Sequence, residues 1–195
     1  MGSWSPEGTR IVFQKDHDIY VISAEGGFPQ QITTDPAVDH QPSWSADGKW
    51  IYFASDRSGN QQVWRTPIET GEPVQMTREG GSHPQESPDG RFIYYYKMDG
   101  LWRIPVSGGT ETEVIKACFP AYHVVKEGIY FTRINGEKNR SAIYFLKLPT
   151  GDRRHIATVD GSLYWPISTS PDGRFLLCSK CEYYEGDLML VKNFR

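Results

Sequence analysis

The sequence predicts an all-β fold, a β-propeller of four-stranded antiparallel blades in about five repeats. Three observations predict it. A turn signal of the form Ser-x-Asp/Glu-Gly, followed each time by an aromatic-rich strand, recurs along the chain. The composition is 13% aromatic with 19 Gly and 13 Pro, which suits short strands and frequent turns. No stretch sustains the 3.6-residue apolar period of a helix.

The elements follow in order. The first copy opens inside its own first strand at Ser3-Trp4-Ser5, turns at Ser5-Pro6-Glu7-Gly8 and continues as Ile11-Val12-Phe13. The turn returns as Ser45-Ala46-Asp47-Gly48 before Trp50-Ile51-Tyr52-Phe53, and as Ser87-Pro88-Asp89-Gly90 before Phe92-Ile93-Tyr94-Tyr95. A degenerate copy, Val125-Lys126-Glu127-Gly128, precedes Ile129-Tyr130-Phe131, and Ser170-Pro171-Asp172-Gly173 precedes Phe175-Leu176-Leu177. Strands aligned on Ile11, Ile51, Ile93, Ile129 and Leu176 are 40, 42, 36 and 47 residues apart. Third strands read Asp18–Val21, Gln62–Arg65, Gly100–Arg103, Ala142–Phe145 and Asp187–Leu190. Four of these lead into Gly turns, and short fourth strands such as Gln31-Ile32-Thr33 and Gln75-Met76-Thr77 follow. The expected blades span approximately 1–34, 41–78, 84–116, 119–158 and 164–195 within one propeller domain.

Each turn has a chemical reason. Pro presets φ at the second position, Asp bonds its own backbone, and Gly supplies the positive φ that closes the hairpin. The recurring serine is therefore read as part of a turn and not as a nucleophile. One blade cannot bury both faces of its sheet, so aromatics on the second and third strands should fill the gaps between neighbours.

The stretch Pro42-Ser43-Trp44-Ser45-Ala46-Asp47-Gly48-Lys49, with Phe53-Ala54-Ser55-Asp56-Arg57 and Gln62-Val63-Trp64, resembles the TolB-like propeller repeat, which is related to WD repeats. The resemblance implies a non-catalytic protein-interaction or ligand-sensing module, at the C-terminal end of a larger bacterial protein. In that family Asp56-Arg57 looks like a turn-and-packing pair. An alternative is the gating propeller of a serine peptidase similar to the prolyl-oligopeptidase group. A third reading is a metal-dependent propeller lyase or lactonase. The last copy stops after its third strand. Two arrangements fit: five closing blades, or an arc of a ring of roughly six to eight blades. The arc is favoured here, and it implies self-association through open blade edges.

Composition excludes several classes. The 21 Lys plus Arg against 24 Asp plus Glu leave a net charge of −3, which argues against a nucleic-acid surface. No apolar run reaches the roughly 18 residues of a membrane helix. Residues 1–6 lack the basic start and apolar core of a secretory leader, and the compartment stays open. No G-x-S-x-G, H-E-x-x-H, Walker or dinucleotide motif occurs, so neither a catalytic residue nor a cofactor is expected. Cys178 and Cys181 form a C-x-x-C without further ligands at zinc spacing, and Cys178 reads as a buried strand residue.

The candidate site is the face carrying the loops that enter each first strand, because these loops are longer and more varied than the Gly turns. It supplies Asp39, His40 and His83 as polar candidates for a protein or peptide partner, with no metal site expected. Tyr164 and Trp165 offer an aromatic wall. Glu86 joins them because Trp4, Trp44 and Tyr122 are read as its counterparts, and a carboxylate at an aromatic position needs a partner or water.

Overall fold

The computed structural model describes residues 2–98, 100–135, 140–182 and 185–192. Among the described residues, regular structure is strand and turn only. The chain divides into two compact units, Met1–Met98 with Trp102–Val114, and Asp99–Leu101 with Ile115–Arg195.

The predicted blades are present as five antiparallel sheets. The first comprises β1 (Gly2–Trp4), β2 (Arg10–Lys15), β3 (Asp18–Ser23) and β4 (Gln30–Gln31), in chain order. The second repeats this with β5 (Asp39–Trp44), β6 (Trp50–Ser55), β7 (Gln62–Pro67) and β8 (Val74–Gln75). The third is β9 (Ser82–Glu86), β10 (Phe92–Lys97), β11 (Gly100–Pro105) and β12 (Thr112–Ile115). The fourth is β13 (Tyr122–Val125), β14 (Gly128–Asn135), β15 (Arg140–Lys147) and β16 (Arg153–Asp160). The last has three strands, β17 (Ser162–Thr169), β18 (Phe175–Glu182) and β19 (Glu185–Lys192).

Strand alternation gives a blade two faces, and within each unit adjacent blades pack apolar side chains against one another. Within the first unit, Val12, Ile19 and Val21 pack on Trp44, Ile51 and Phe53 of the next blade. Tyr52, Val63 and Met76 on the second blade's other face meet Ile93, Tyr95 and Ile104 of the third. Within the second unit, Tyr130, Ile143 and Val159 pack on Leu163, Ile167, Leu176 and Cys178. Cys118 and Cys178 are buried thiols, and burial pushes the Cys178 thiol up.

The turns behave as their chemistry dictates. Ser45 O accepts from Gly48 N at 3.0 Å, and Gly48 takes the left-handed φ of 70°. Ser45 Oγ accepts from Lys49 N and Trp50 N at 3.1 and 2.9 Å and donates to Asp47 Oδ1 at 2.7 Å. That donation holds the Asp47 carboxyl below the usual range. Ser87 with Asp89 and Ser170 with Asp172 repeat the arrangement.

The fourth copy differs for a reason of length. Its hairpin pairs Val125 with Gly128 directly, and Val124 lies opposite Ile129. Trp4 lies opposite Ile11, Trp44 opposite Ile51 and Glu86 opposite Ile93. The counterpart of Glu86 is therefore Val124 and not Tyr122, which lies opposite Phe131. Losing Ser-Pro-Asp shortened this loop by two residues and moved the first strand against the sequence alignment.

Candidate functional site

The loops entering β5 and β9 hold a polar rim in the first unit. Asp39 opens β5 opposite Ser55, and its N–H donates to His17 O at 2.8 Å. Its side chain is fully buried. Oδ2 accepts from Arg57 Nη2 at 2.8 Å, while Oδ1 has no hydrogen-bond partner. The Arg57 guanidinium lies 5.2 Å from the ring centres of both Phe53 and Trp64, and its Nε donates to Ser55 Oγ at 2.9 Å. Asp56 Oδ1 accepts from Val38 N at 2.8 Å and so pins the loop just before Asp39. The pair Asp56-Arg57 thus packs and anchors, as the sequence resemblance implied. Arg57 as the counter-charge of Asp39 was missed, because the two stand on different elements of the blade.

A second device sits beside the pair. Between His40 and Ser43 the pairing of β5 with β6 shifts register, and Gln41 takes the left-handed φ of 56°. The pairing of β9 with β10 shifts in the same way, and His83 takes a φ of 53°. Each of these residues precedes a proline, Pro42 or Pro84. Proline has no N–H to give a ladder, so a bulge is where a strand tolerates it. A non-glycine residue in this region costs about 1–3 kcal/mol, which the surroundings must hold. Trp165 occupies the corresponding break, before Pro166 and between Tyr164 and Ile167 of β17. The repeated x-Pro at the entry of the first strand was the available sequence signal for this device.

The two lifted side chains of the first unit bridge neighbouring blades. His83 N–H donates to Gln41 Oε1 at 3.1 Å, and Gln41 Nε2 lies 2.9 Å from His83 Nε2. With its oxygen engaged, the amide offers its N–H₂ to the ring, so His83 Nε2 accepts. The proton then resides on Nδ1, which faces Ser82 Oγ at 3.0 Å. This neutral tautomer fits an imidazole whose pKa is lowered to about 4 by burial and, secondarily, by His40. Half-buried His40 meets the side-chain amide of Gln61. Burial lowers its pKa as well, while Asp39 and Asp56 pull the other way.

The structure thus brings Asp39, His40 and His83 onto one rim and separates Glu86 from them. Glu86 ends β9, and its Oε1 accepts from Ala46 N of the Ser45–Gly48 turn at 3.2 Å. It therefore stands at the hairpin end of the blade. Tyr164 and Trp165 have described backbone in β17, but their side chains lie outside the described residues. Among the described residues, no three His, Cys, Asp or Glu side chains gather to hold a metal ion, and no helix is long and apolar enough to cross a membrane.

The chain is 29% identical to the uncharacterized protein Atu1656 of Agrobacterium fabrum over 102 residues, which is 49% of this chain and 35% of that protein. It is 42% identical to the Tol-Pal system protein TolB of Bordetella pertussis over 55 residues, 28% of this chain and 13% of that protein. These matches span about a third or less of those relatives' length. A TolB structure from Acinetobacter baumannii superimposes with a TM-score of 0.78 at 20% identity, covering 98% of this chain and 51% of that one, a likeness of fold. The model of the TolB beta propeller domain matches residues 2–116, which contain the three blades of the Ser-x-Asp/Glu-Gly turns at 5, 45 and 87 and the whole rim of the first unit. Matched over more than half its length, the chain belongs to the TolB β-propeller domain family.

Proposed function

We propose that this propeller is a protein-interaction module without a catalytic step of its own, and that the loops at 35–41 and 79–83 meet the partner. One observation carries the reading. Two neighbouring blades each hold a polar side chain, Gln41 and His83, on a left-handed bulge and lock the two together, beside a buried Asp39–Arg57 pair. Strained backbone kept at equivalent positions is a mark of recognition surfaces. A rigid edge of amide and imidazole groups suits the backbone and polar side chains of a polypeptide. The relatives named for the Tol-Pal system support a protein as partner. No chemical step is assigned to His40 or His83: among the described residues no metal-binding cluster of His, Cys, Asp or Glu includes them, and Ser82 Oγ beside His83 Nδ1 is read as the partner that fixes the ring.

The test uses the protein as its host makes it. A photo-crosslinking residue at position 40 should give one dominant protein adduct, and the double change Gln41→Ala with His83→Ala should abolish it. An adduct unchanged by the double variant, or none from position 40 while position 28 on the far turn yields one, would overturn the reading.

A further inference from the structure

Lys97 ends β10 with its side chain only 4% exposed. A buried ammonium must be paired, and this one has two carboxylates on it. Glu111 Oε2 lies 2.5 Å from Nζ, and Glu79 Oε2 lies at 3.3 Å. The Trp102 ring covers a further side, its centre 4.4 Å away. The two carboxylates are not alike. Glu111 is 17% exposed, whereas Glu79 is 79% exposed and reaches in from solvent. The backbone on either side of Glu79 is held. Gln62 Nε2 donates to Arg78 O at 3.2 Å, and Gln62 Oε1 accepts from Gly80 N at 2.9 Å. The loop is thus anchored, while the Glu79 side chain has solvent to swing into.

This cluster lines a cleft of about 580 Å³, within the range for ligand sites. Met76, Trp102 and Ile104 supply its apolar lining, and Arg78 lines it as a second cation. An ion pair with so exposed a partner contributes little, so Glu79 is exchangeable. Lys97 is not, because a buried cation needs its acceptors whichever carboxylate supplies them. A carboxylate from outside that takes the place of Glu79 keeps Arg78 and Lys97 balanced by two negative charges. A cation there would meet Lys97 directly, and a neutral group would leave Arg78 and Lys97 facing Glu111 alone. Glu79 also opens the loop at 79–83, so the cleft continues the rim. We propose that this cleft receives a carboxylate of the protein partner, from an acidic side chain or from the chain end, and that Glu79 yields its place on Lys97 to it. The proposal rests on the reading of the 79–83 loop as a partner surface and names what that partner must carry.

The experiment is an NMR titration of the whole ¹⁵N-labelled chain, reading the Trp102 indole N–H, assigned with Trp102→Phe. One probe is acetyl-Gly-Gly-Leu with a free terminal carboxylate. The other is acetyl-Gly-Leu-Glu-Gly amide, which carries its acid on a side chain. Their controls are the terminal amide of the first and the Gln analogue of the second, with acetate and sulfate as bare anions. At least one acidic probe should shift the Trp102 signal saturably while its neutral control does not, and the probe that does so tells chain end from side chain. Glu79→Gln should tighten that binding about two- to fivefold, because the competing charge is gone. A merely structural Glu79 would give the opposite sign. Lys97→Met should abolish binding. Silence with both acidic probes, equal shifts from the neutral controls, acetate or sulfate binding as tightly as the peptides, or binding unchanged or weakened by Glu79→Gln would overturn the proposal. Should Lys97→Met fail to fold, the exposed Glu79→Gln decides. The adduct from position 40 is read separately: its persistence alongside a silent titration overturns this proposal and leaves the reading of the rim standing.

Discussion

The two inter-blade seams of the first unit share a backbone plan and differ in chemistry. At the first seam the row across the blade is Ser3, Val12 and Val21, and it faces Trp44. The indole donates to Ser3 O at 3.2 Å and stacks under Arg10 at 4.8 Å. At the second seam the same register holds Ser43, Tyr52 and Arg65, and Glu86 replaces the tryptophan. The first seam closes on an apolar contact, while the second leaves a polar cavity. The difference shows that strand register fixes which positions meet, and that side-chain identity alone decides whether the meeting is a core or a cavity.

The comparison is broken most directly at the closed seam. Ile51 is fully buried there, so Ile51→Ala should cost about 2–5 kcal/mol in a urea unfolding series. A cost below about 1 kcal/mol would mean that this seam is not the closed one. A smaller effect comes from copying one seam onto the other. Glu86→Trp alone should cost about 1–3 kcal/mol, because the indole must share space with Tyr52 and Arg65. Adding Tyr52→Val and Arg65→Val should recover at least half of that loss in the same assay. A triple variant weaker than Glu86→Trp would refute the equivalence.

The smallest effect is on pH. In the folded chain His83 and His123 have pKa values lowered from 6.5 to about 4, by burial in both cases. The unfolded chain therefore binds more protons between these values. Stability from these two residues is complete above about pH 6.5 and is lost as pH falls towards 4. Protonation would also turn the accepting His83 Nε2 into a donor facing the Gln41 amide and break the bridge. Melting temperature should fall across this window, and His83→Gln should flatten part of the slope. An unchanged slope would show that His83 is already protonated or equally buried when unfolded.

The blades were legible because their instructions are local. Ser45, Asp47 and Gly48 build a hairpin from consecutive residues, and Ile11, Ile51 and Ile93 mark second strands by aromatic neighbours. Candidates on the rim were legible as loop residues, since Asp39, His40 and His83 stand at the entry of first strands. Their partners were not. Arg57 reaches Asp39 from across a hairpin, and Gln41 reaches His83 from another blade. Such pairings depend on tertiary closeness that no sequence spacing encodes. The misplacement of Glu86 against Tyr122 has a similar origin, because a hairpin two residues shorter is invisible until the strands are paired.

In the turns at Ser45, Ser87 and Ser170 the serine bonds the acid of its own turn and accepts from its glycine, all within one hairpin. A stretch of this chain copied elsewhere in a gene would thus carry its own folding seed, and closing so short a loop takes well under a microsecond. Growth by tandem duplication then demands nothing new of the copy's interior, and novelty can concentrate where one copy touches the next.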